Sequence, residues 1–302
     1  FAGKTIADPL RVGTDIRNIA GATISTNAIS AGVRKILAIY QVGIKNSAGQ
    51  PQTHPVKRTR ILWGTALSIE IRSDTPDDAD VAIEDAFREV ERLTPIFSRY
   101  DTASEISRIN AGDVWIKPSM VFWELYELAL EMYRLTGGAY NPTKQSDGLQ
   151  YVEMTKPLLG DSPAIQVSNG VQLDLDGIAK GFAVDRMTGI LRRRGIHTAL
   201  INFGESSLAA LGAPAPDGAW TVAVRDARRP RGEQAAPLTT VALRDAVMSV
   251  SGAWERGPHI IDPFTGKPPP DSLEAVVVGP ISSDASARAD ALSTALFAAG
   301  RK

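Results

Sequence analysis

Residues 173–183 read LDLDGIAKGFA, and this stretch decides how the middle of the chain folds. Apolar and acidic residues alternate at its start, which predicts a short strand over 172–175. The glycine that follows marks a turn, and a helix is predicted over 178–194. Lys180 lies in the first turn of that helix, where the helix dipole disfavours a cation unless an anion such as phosphate binds beside it. The alternative is a plain strand-to-helix turn that Asp176 caps.

Helices and strands flank this stretch without a strict alternation of the two. Helical spacing of apolar residues predicts helices that begin near residue 76, at 119–135 and at 286–298. A strand is predicted at 67–71, and the later predicted strands are 199–203, 220–224, 239–243, 247–250 and 273–278. This mixture predicts an α+β fold.

The composition excludes several classes of protein. The chain has 302 residues and lacks cysteine, so a disulfide framework, a cysteine-ligated metal site and a thiol nucleophile are excluded. Its 33 Lys and Arg against 34 Asp and Glu give a formal net charge of −1. This balance argues against electrostatic binding of nucleic acid by the chain as a whole. No run of apolar residues reaches the roughly 18 that a membrane-spanning helix needs. We therefore expect a globular protein that does not bind nucleic acid.

Composition and spacing divide the chain into three parts. Residues 1–44 contain a segment of small and polar residues at 14–25, followed by a predicted helix over 27–40. Residues 45–57 are polar and rich in the residue types of linkers. The main domain is predicted over 58–302.

Two further stretches carry candidate chemistry. Asp290 and Thr294 are four residues apart on the last predicted helix, with Ser293 beside them, so they share one side of an otherwise apolar helix. A buried carboxylate needs a partner: Mg²⁺, which prefers oxygen ligands, is one candidate, and a capping or ion-paired role for the Asp is the other. His259 and Asp262 are three apart before a Pro-Phe-Thr-Gly turn. They are either a pair that transfers a proton or a structural His with a turn-forming Asp.

Eight segments, in order along the chain, resemble segments of the ApbE family of flavin transferases, the FAD:protein FMN transferases. The segments are 63–65, 98–101 with 104–110, 136–143, 173–181, 202–204, 249–252, 259–266 and 289–294. Each match is modest alone, but eight in the family's order are specific. Three positions depart from the family's usual residues: Trp63 replaces Met, Asn141 replaces Asp and Glu205 replaces Gly.

The resemblance implies a mixed α/β transferase domain that splits FAD, attaches FMN to a Thr or Ser of an acceptor protein, releases AMP and requires Mg²⁺. The metal ligands that it implies are the carbonyl of Gly177, the carboxylate of Asp290, the carbonyl of Ser293 and the hydroxyl of Thr294. The FAD contacts that it implies are Trp63, Tyr100, Ala139, Tyr140, Asn141, Asp174, Lys180 and Ile261. His259 or Asp262 would orient or deprotonate the incoming hydroxyl, and we favour His259.

Residues 19–30 resemble a different protein, the end of an FMN-binding domain of respiratory flavoprotein subunits. Such domains carry a Ser/Thr-Gly-Ala-Thr motif whose last Thr receives FMN, and Thr23 is the corresponding residue here, although Ala20 replaces the usual hydroxyl residue. The alternative is a turn of small residues that caps the helix. The acceptor interpretation implies a fusion of acceptor and transferase, with covalent FMN on Thr23, and a chain that starts inside a truncated acceptor domain.

Two other functions stay open at this point. Water could replace the protein hydroxyl, which would give an FAD pyrophosphatase that releases FMN and AMP. The chain could instead be a non-catalytic electron-transfer or FAD-binding module that carries flavin. Members of the family often act outside the cytoplasmic membrane. The resemblance therefore implies acceptor partners from respiratory electron transfer and a periplasmic or extracytoplasmic location, with a membrane anchor.

Overall fold

A computed structural model of the chain describes residues 54–155, 162–215, 217–226, 237–252, 259–269 and 274–300. The strands are β1 His54–Leu62, β2 Thr65–Ser73, β3 Val152–Met154, β4 Ile165–Val167, β5 Ala199–Phe203, β6 Ser207–Leu211, β7 Trp220–Val224, β8 Thr239–Leu243, β9 Ala246–Gly252 and β10 Glu274–Pro280. The helices are α1 Pro76–Phe97, α2 Glu105–Asn110, α3 Met120–Leu135, α4 Asp176–Arg193 and α5 Ala285–Ala299, with a 3₁₀ helix at Gly148–Tyr151.

The main sheet has six antiparallel strands in the order β1-β2-β5-β6-β9-β10. A two-residue turn joins β1 to β2, and both of its residues have positive φ, 51° at Trp63 and 72° at Gly64. Positive φ at both positions is the geometry that matches the twist of a two-residue hairpin. The strands β3 and β4 form a separate pair.

Helices cover one face of this sheet. α1 buries Ile83, Phe87 and Val90 along one stripe and packs against β1 and α4. α5 lies against α4, β9 and β10. Because α4 and α5 pack on each other above the sheet, the residues on their facing sides are removed from water.

The β7–β8 hairpin covers the opposite face. Trp220, Val224 and Leu243 from the hairpin pack against Leu208 of β6 and Met248 of β9. The β6 strand is therefore covered on both faces, and all five of its residues are buried. Side chains on β9 alternate accordingly, so Met248 faces the hairpin while its neighbours face the helices.

The α+β class is confirmed, and so are the helices predicted from residue 76 and at 119–135, 178–194 and 286–298. The predicted strands at 67–71, 199–203, 220–224, 239–243 and 247–250 all lie within observed strands, and residues 274–278 of the strand predicted at 273–278 lie in β10. The predicted strand at 172–175 is wrong. The side chain of Asn110 occupies the place of a strand partner there, because it accepts from the Leu173 amide at 2.7 Å and donates to the Leu173 carbonyl at 2.8 Å. Spacing also missed β6, since a strand buried on both faces shows no alternation.

The paired strand β1 begins at His54, four residues before the predicted start of the main domain. Thr23 and the predicted helix at 27–40 lie outside the described residues. No helix in the described part of the chain is long and apolar enough to cross a membrane.

Candidate active site

The candidate site is built where α5 meets the start of α4. Asp290, on α5, is 3% exposed. Its Oδ2 accepts a hydrogen bond from the Gly181 amide at 2.9 Å, and its Oδ1 accepts one from Ser249 Oγ at 3.1 Å. Burial raises the pKa of Asp290, and the positive charge of Lys180 and these hydrogen bonds offset only part of that shift. A carboxylate in this position is well suited to bind a cation, which would favour its charged form.

Further oxygen atoms lie one helical turn away. Thr294 Oγ1 is 3.4 Å from the Gly177 carbonyl oxygen and 3.3 Å from Ser251 Oγ. Ser293 Oγ lies 2.8 Å from Ser251 Oγ and 3.0 Å from Ser249 Oγ, and donates to the Asp290 carbonyl at 3.0 Å. A Cβ on Gly177 would lie 3.0 Å from Thr294 Oγ1, so the glycine leaves the space between these oxygens open.

This donor set fits a hard cation. Of the four predicted metal ligands, Thr294 contacts the Gly177 carbonyl, and Asp290 and Ser293 lie within one turn of Thr294 on α5. Carboxylate, carbonyl and hydroxyl oxygens are the ligands that Mg²⁺ prefers. Within the described ranges no group of three or more His, Cys, Asp or Glu side chains converges, so a metal would depend on this single carboxylate and its neutral oxygen neighbours.

Lys180 is the fifth residue of α4 and lies just past its first turn, not in it as predicted, because the helix begins at Asp176, two residues earlier than predicted. Its side chain points at the same region. Its Nζ donates a hydrogen bond to Ser206 Oγ, in the turn between β5 and β6. Gly204 and Glu205 in that turn have φ of 66° and 58°. Glu205 thus adopts a backbone conformation that glycine prefers, at the position where the family usually has glycine. Lys180 also lowers the pKa of Asp290, which indicates that the two charges are near one another.

A second charged cluster surrounds Asp174, just before α4. Asp174 Oδ2 is 2.8 Å from Arg99 Nη1 and 2.6 Å from Lys144 Nζ. Burial raises the pKa of Asp174, but Lys144, the Asp176 amide and Arg99 together lower it below its usual value. Arg99 Nη2 also lies 3.2 Å from Asp176 Oδ2. The segment before α4 is therefore held by cations from two distant parts of the chain.

The loop after α3 contributes Ala139, Tyr140 and Asn141. Asn141 Oδ1 accepts from the amide and hydroxyl of Thr143, at 2.9 and 2.7 Å, so this side chain fixes its own loop. The carbonyl of Pro142 accepts from the Asp174 amide at 2.6 Å, which docks the loop onto the Asp174 cluster.

Tyr140 lies at the base of that loop and is 2% exposed. Its hydroxyl is buried and has no hydrogen-bond partner among the described residues. Burial raises the pKa of Tyr140 well above its usual value, and Asp174, Asp290 and Asp176 raise it further. The Tyr140 hydroxyl is therefore within electrostatic reach of all three carboxylates.

Two aromatic residues predicted to contact FAD lie farther out. The Trp63 ring is 5.4 Å from that of Phe203, the last residue of β5, and its Nε1 donates to Thr94 Oγ1 at 3.0 Å. Tyr100 is 81% exposed, and the Arg99 guanidinium lies 5.4 Å from its ring centroid. Such an exposed ring is available to a flat ligand.

The segment with His259, Ile261 and Asp262 lies beside the same loop. A Cβ on Gly138 would lie 3.4 Å from Phe264 Cζ, so the two loops touch. Asp262 Oδ1 accepts from the Phe264 amide at 2.9 Å, and its Oδ2 accepts from Thr265 Oγ1 at 3.1 Å. Asp262 therefore forms the turn, while His259 is exposed and Ile261 is half-buried.

The structure adds to the site five residues to which the sequence analysis assigned no role: Ser206, Arg99, Lys144 and, on β9, Ser249 and Ser251. The two serines are two apart on β9, so a period-two pattern could have placed them on one face. Arg99 and Lys144 gave no such signal, because the pairs they form with Asp174 span long stretches of chain.

Comparison with known proteins points in one direction. The model of the ApbE family matches residues 63–148 and 144–302. The FAD:protein FMN transferase of Treponema pallidum is 27% identical over 88% of this chain and 84% of its own length. The fold is similar to that of the flavin transferase ApbE from Vibrio cholerae, with a TM-score of 0.69 and 20% identity over 82% of this chain and 88% of the other. The ApbE protein of Thermotoga maritima gives a TM-score of 0.68 and 23% identity over 81% and 87%.

Proposed function

Because the chain belongs to the ApbE family, we propose that it is an FAD:protein FMN transferase. It joins the FMN half of FAD to a Thr or Ser hydroxyl of an acceptor protein through a phosphodiester bond and releases AMP. The observation that carries this proposal is the convergence of Asp290, Thr294 and the Gly177 carbonyl beside Lys180. Oxygen ligands for a cation next to a lysine at a helix N-terminus suit a pyrophosphate substrate.

Mg²⁺ is the metal that we propose for this site. The Gly177 carbonyl, Asp290 carboxylate, Ser293 carbonyl and Thr294 hydroxyl would hold it. When bound, it supplies positive charge that neutralises the pyrophosphate. The fit is supported by the space that Gly177 leaves next to Thr294 Oγ1 and by the buried carboxylate of Asp290.

Lys180 and the first turn of α4 bind the phosphoryl group that is transferred. The ammonium adds positive charge where negative charge accumulates in the transition state. Its hydrogen bond to Ser206 orients it before substrate arrives. The remaining FAD contacts that we propose are Trp63, Tyr100, Ala139, Tyr140, Asn141, Asp174 and Ile261.

We propose His259 as the general base. The oxygen of the acceptor hydroxyl attacks the phosphorus of the FMN half, the bond from that phosphorus to the bridging oxygen breaks, and AMP leaves with this oxygen. The hydroxyl proton passes to His259. Asp262 is less suited to this role, because both of its carboxylate oxygens accept hydrogen bonds within its own turn.

The test is intact-mass analysis after incubation with FAD, Mg²⁺ and an acceptor domain that carries a Ser-Gly-Ala-Thr motif. We expect the acceptor to gain the mass of FMN, and Asp290→Asn to abolish that gain. Asp284→Asn is the matched control, since Asp284 precedes the same helix and its carboxylate pairs with Arg288. Free FMN and AMP with an unmodified acceptor would instead indicate a pyrophosphatase, and no FAD turnover at all would indicate a flavin-binding module.

We propose Thr23 as a built-in acceptor, with proteins of respiratory electron transfer as the other acceptors. Residues 45–53, which precede β1, have the composition of a flexible linker. A flexible linker of about nine residues spans roughly 16 Å and gives an effective concentration near millimolar. The chain alone should therefore gain the mass of one FMN with FAD and Mg²⁺, and Thr23→Val should not. An unchanged mass of the unsubstituted chain would contradict self-modification but not transfer to other proteins.

We propose that the enzyme works outside the cytoplasmic membrane, in the periplasm and attached to the membrane. The location that the family resemblance implies and the expected respiratory acceptors support this proposal. Fractionation of cells that express the full-length protein tests it, and recovery in the cytoplasmic fraction alone would contradict it.

A further inference from the structure

Three contacts join α4 to α5 at a regular interval. Thr294 Oγ1 lies 3.4 Å from the Gly177 carbonyl, and the Gly181 amide donates to Asp290 Oδ2 at 2.9 Å. In the third contact Asp185 accepts hydrogen bonds from the first turn of α5. The contact residues advance by four along α4 and retreat by four along α5, so the two helices run antiparallel with three contacts on one line.

The third contact lies at the end away from the metal ligands. Asp185 Oδ1 accepts from the Ser286 amide and Oδ2 from the Ala287 amide, both at 2.9 Å. These amides belong to the first turn of α5, where backbone N–H groups have no partner within the helix. Asp284, the residue at the N-cap, makes no side-chain cap hydrogen bond. A carboxylate from another helix therefore caps α5.

Close backbone packing accompanies this cap. A Cβ on Gly181 would lie 2.2 Å from the Ser286 carbonyl oxygen and 2.7 Å from Ala287 Cα. The glycine lets the first turn of α5 approach α4, and Asp185 then fixes it there with two bonds. Asp185 is 7% exposed, so water competes little for these bonds.

We propose that Asp185 is a positioning residue, which sets where α5 lies along α4 and thereby aligns Asp290 and Thr294 with Gly181 and Gly177. Sliding α5 by one residue would displace its side chains by ~1.5 Å, which is more than the near-ideal octahedral geometry of Mg²⁺ tolerates. The part of this proposal that concerns metal affinity rests on the proposed function; the part that concerns the helix position does not.

The experiment compares Asp185→Asn with the unsubstituted protein and with Asp284→Asn. Asp185→Asn keeps one acceptor oxygen and the shape of the side chain, whereas Asp284→Asn removes a negative charge next to the same helix start and leaves both Asp185 bonds in place. Unfolding curves identify a temperature at which all three proteins are folded. Asp185→Ala, which removes both bonds, serves as a second variant if it folds.

Hydrogen exchange of the metal-free proteins is the first measurement. We expect Asp185→Asn to speed amide exchange about tenfold or more from Ser286 to Thr294, and at Gly181. Asp284→Asn should leave Gly181 and residues 290–294 unchanged. Faster exchange confined to Ser286 and Ala287 would overturn the proposal, because Asp185 would then cap the helix without positioning the site.

Metal binding is the second measurement, with Mn²⁺ titrated by electron paramagnetic resonance as a probe of the Mg²⁺ site. Substitution of a group that hydrogen-bonds a metal ligand weakens metal binding by about 10- to 100-fold. Asp185 acts one contact farther from the metal, so we expect the lower end, about tenfold, for Asp185→Asn and less than about twofold for Asp284→Asn. Saturating Mg²⁺ should restore kcat of Asp185→Asn, which a misfolded site would not allow. An unchanged Mn²⁺ affinity in Asp185→Asn would overturn the metal-aligning role. If the unsubstituted protein bound no Mn²⁺, the proposed metal site would fail, and hydrogen exchange alone would decide the positioning role.

Discussion

Gly181 donates its amide to Asp290 Oδ2 over 2.9 Å, so a residue without a side chain holds a buried carboxylate in place. The same glycine lies against the Ser286 carbonyl, which a Cβ would approach to 2.2 Å. Gly181 thus sets both the packing of α4 on α5 and the orientation of the Asp290 carboxylate, the group best suited to bind a cation.

Gly181→Ala should therefore destabilise the protein, although alanine favours helices. The methyl group would overlap the backbone of α5, and overpacking of this kind lowers the free energy of unfolding by about 1–3 kcal/mol. Gly189→Ala, in the same helix, is the matched control, since a Cβ there would meet only the flexible end of Arg193 at 3.3 Å. It should raise the free energy of unfolding by about 0.5–1 kcal/mol. Urea unfolding measures both, and two changes of the same sign would contradict the packing argument.

Asp174→Asn should lower the free energy of unfolding at neutral pH, and it should lower it less at acid pH. The pKa of Asp174 is lowered in the folded protein because, despite burial, Lys144 and Arg99 stabilise the carboxylate. A carboxyl with a lowered pKa stabilises the fold above its unfolded pKa of about 3.9, and that stabilisation is lost as the pH falls through the folded pKa. We expect a difference of about 2 kcal/mol at pH 7 that shrinks as the pH is lowered below about 4. A difference that grows on acidification would contradict the ion pairs.

Asp185 should show the opposite trend with pH. Burial raises the pKa of Asp185 to about 7, although the amides of Ala287 and Ser286 lower it, and Asp284 raises it further. A carboxyl whose pKa is raised in the folded state stabilises the fold fully below its unfolded pKa, and this contribution is lost as the pH rises through about 7. The stability of the unsubstituted protein relative to Asp185→Asn should thus be about 2 kcal/mol greater near pH 5 than near pH 8. Chemical unfolding of both proteins at the two values measures it, and a constant difference would contradict the raised pKa.

The sequence predicted those parts of the fold that have a clear local periodicity. The helices at Pro76–Phe97 and Met120–Leu135 have clear apolar stripes and capping or N-terminal signals, so these local patterns were enough to locate them. β6 is buried on both faces and lacks alternation, so spacing could not reveal it. The 172–175 segment alternates like a strand but pairs with the Asn110 side chain, which no local pattern encodes.

For the candidate site too, local spacing predicted some residues, whereas others are brought in only by tertiary packing. The spacing of Asp290 and Thr294 is a local signal, and α5 indeed brings both to one side. Resemblance supplied the link to Gly177, 117 residues away. Asp185 and its bonds to the first turn of α5 join residues more than a hundred positions apart, and a lone Asp inside a helix gives no sign of its partner. Tertiary packing alone creates that contact.

Tyr140→Phe tests whether a buried hydroxyl is kept for a ligand. The Tyr140 hydroxyl is buried without a hydrogen-bond partner among the described residues, and the charges of Asp174, Asp290 and Asp176 act on it. An unpaired buried hydroxyl costs about 1–3 kcal/mol, so Phe should leave the free protein as stable or raise its free energy of unfolding by about 1 kcal/mol. Affinity for FAD should fall about five- to tenfold, because one hydrogen bond to the ligand is lost. Tyr126→Phe is the control, since Tyr126 is also buried but stacks on Phe122 inside α3; it should leave FAD affinity unchanged. Calorimetric titration with FAD and urea unfolding give the two readouts. A variant that loses stability and keeps full FAD affinity would show that the hydroxyl serves the fold and not the ligand.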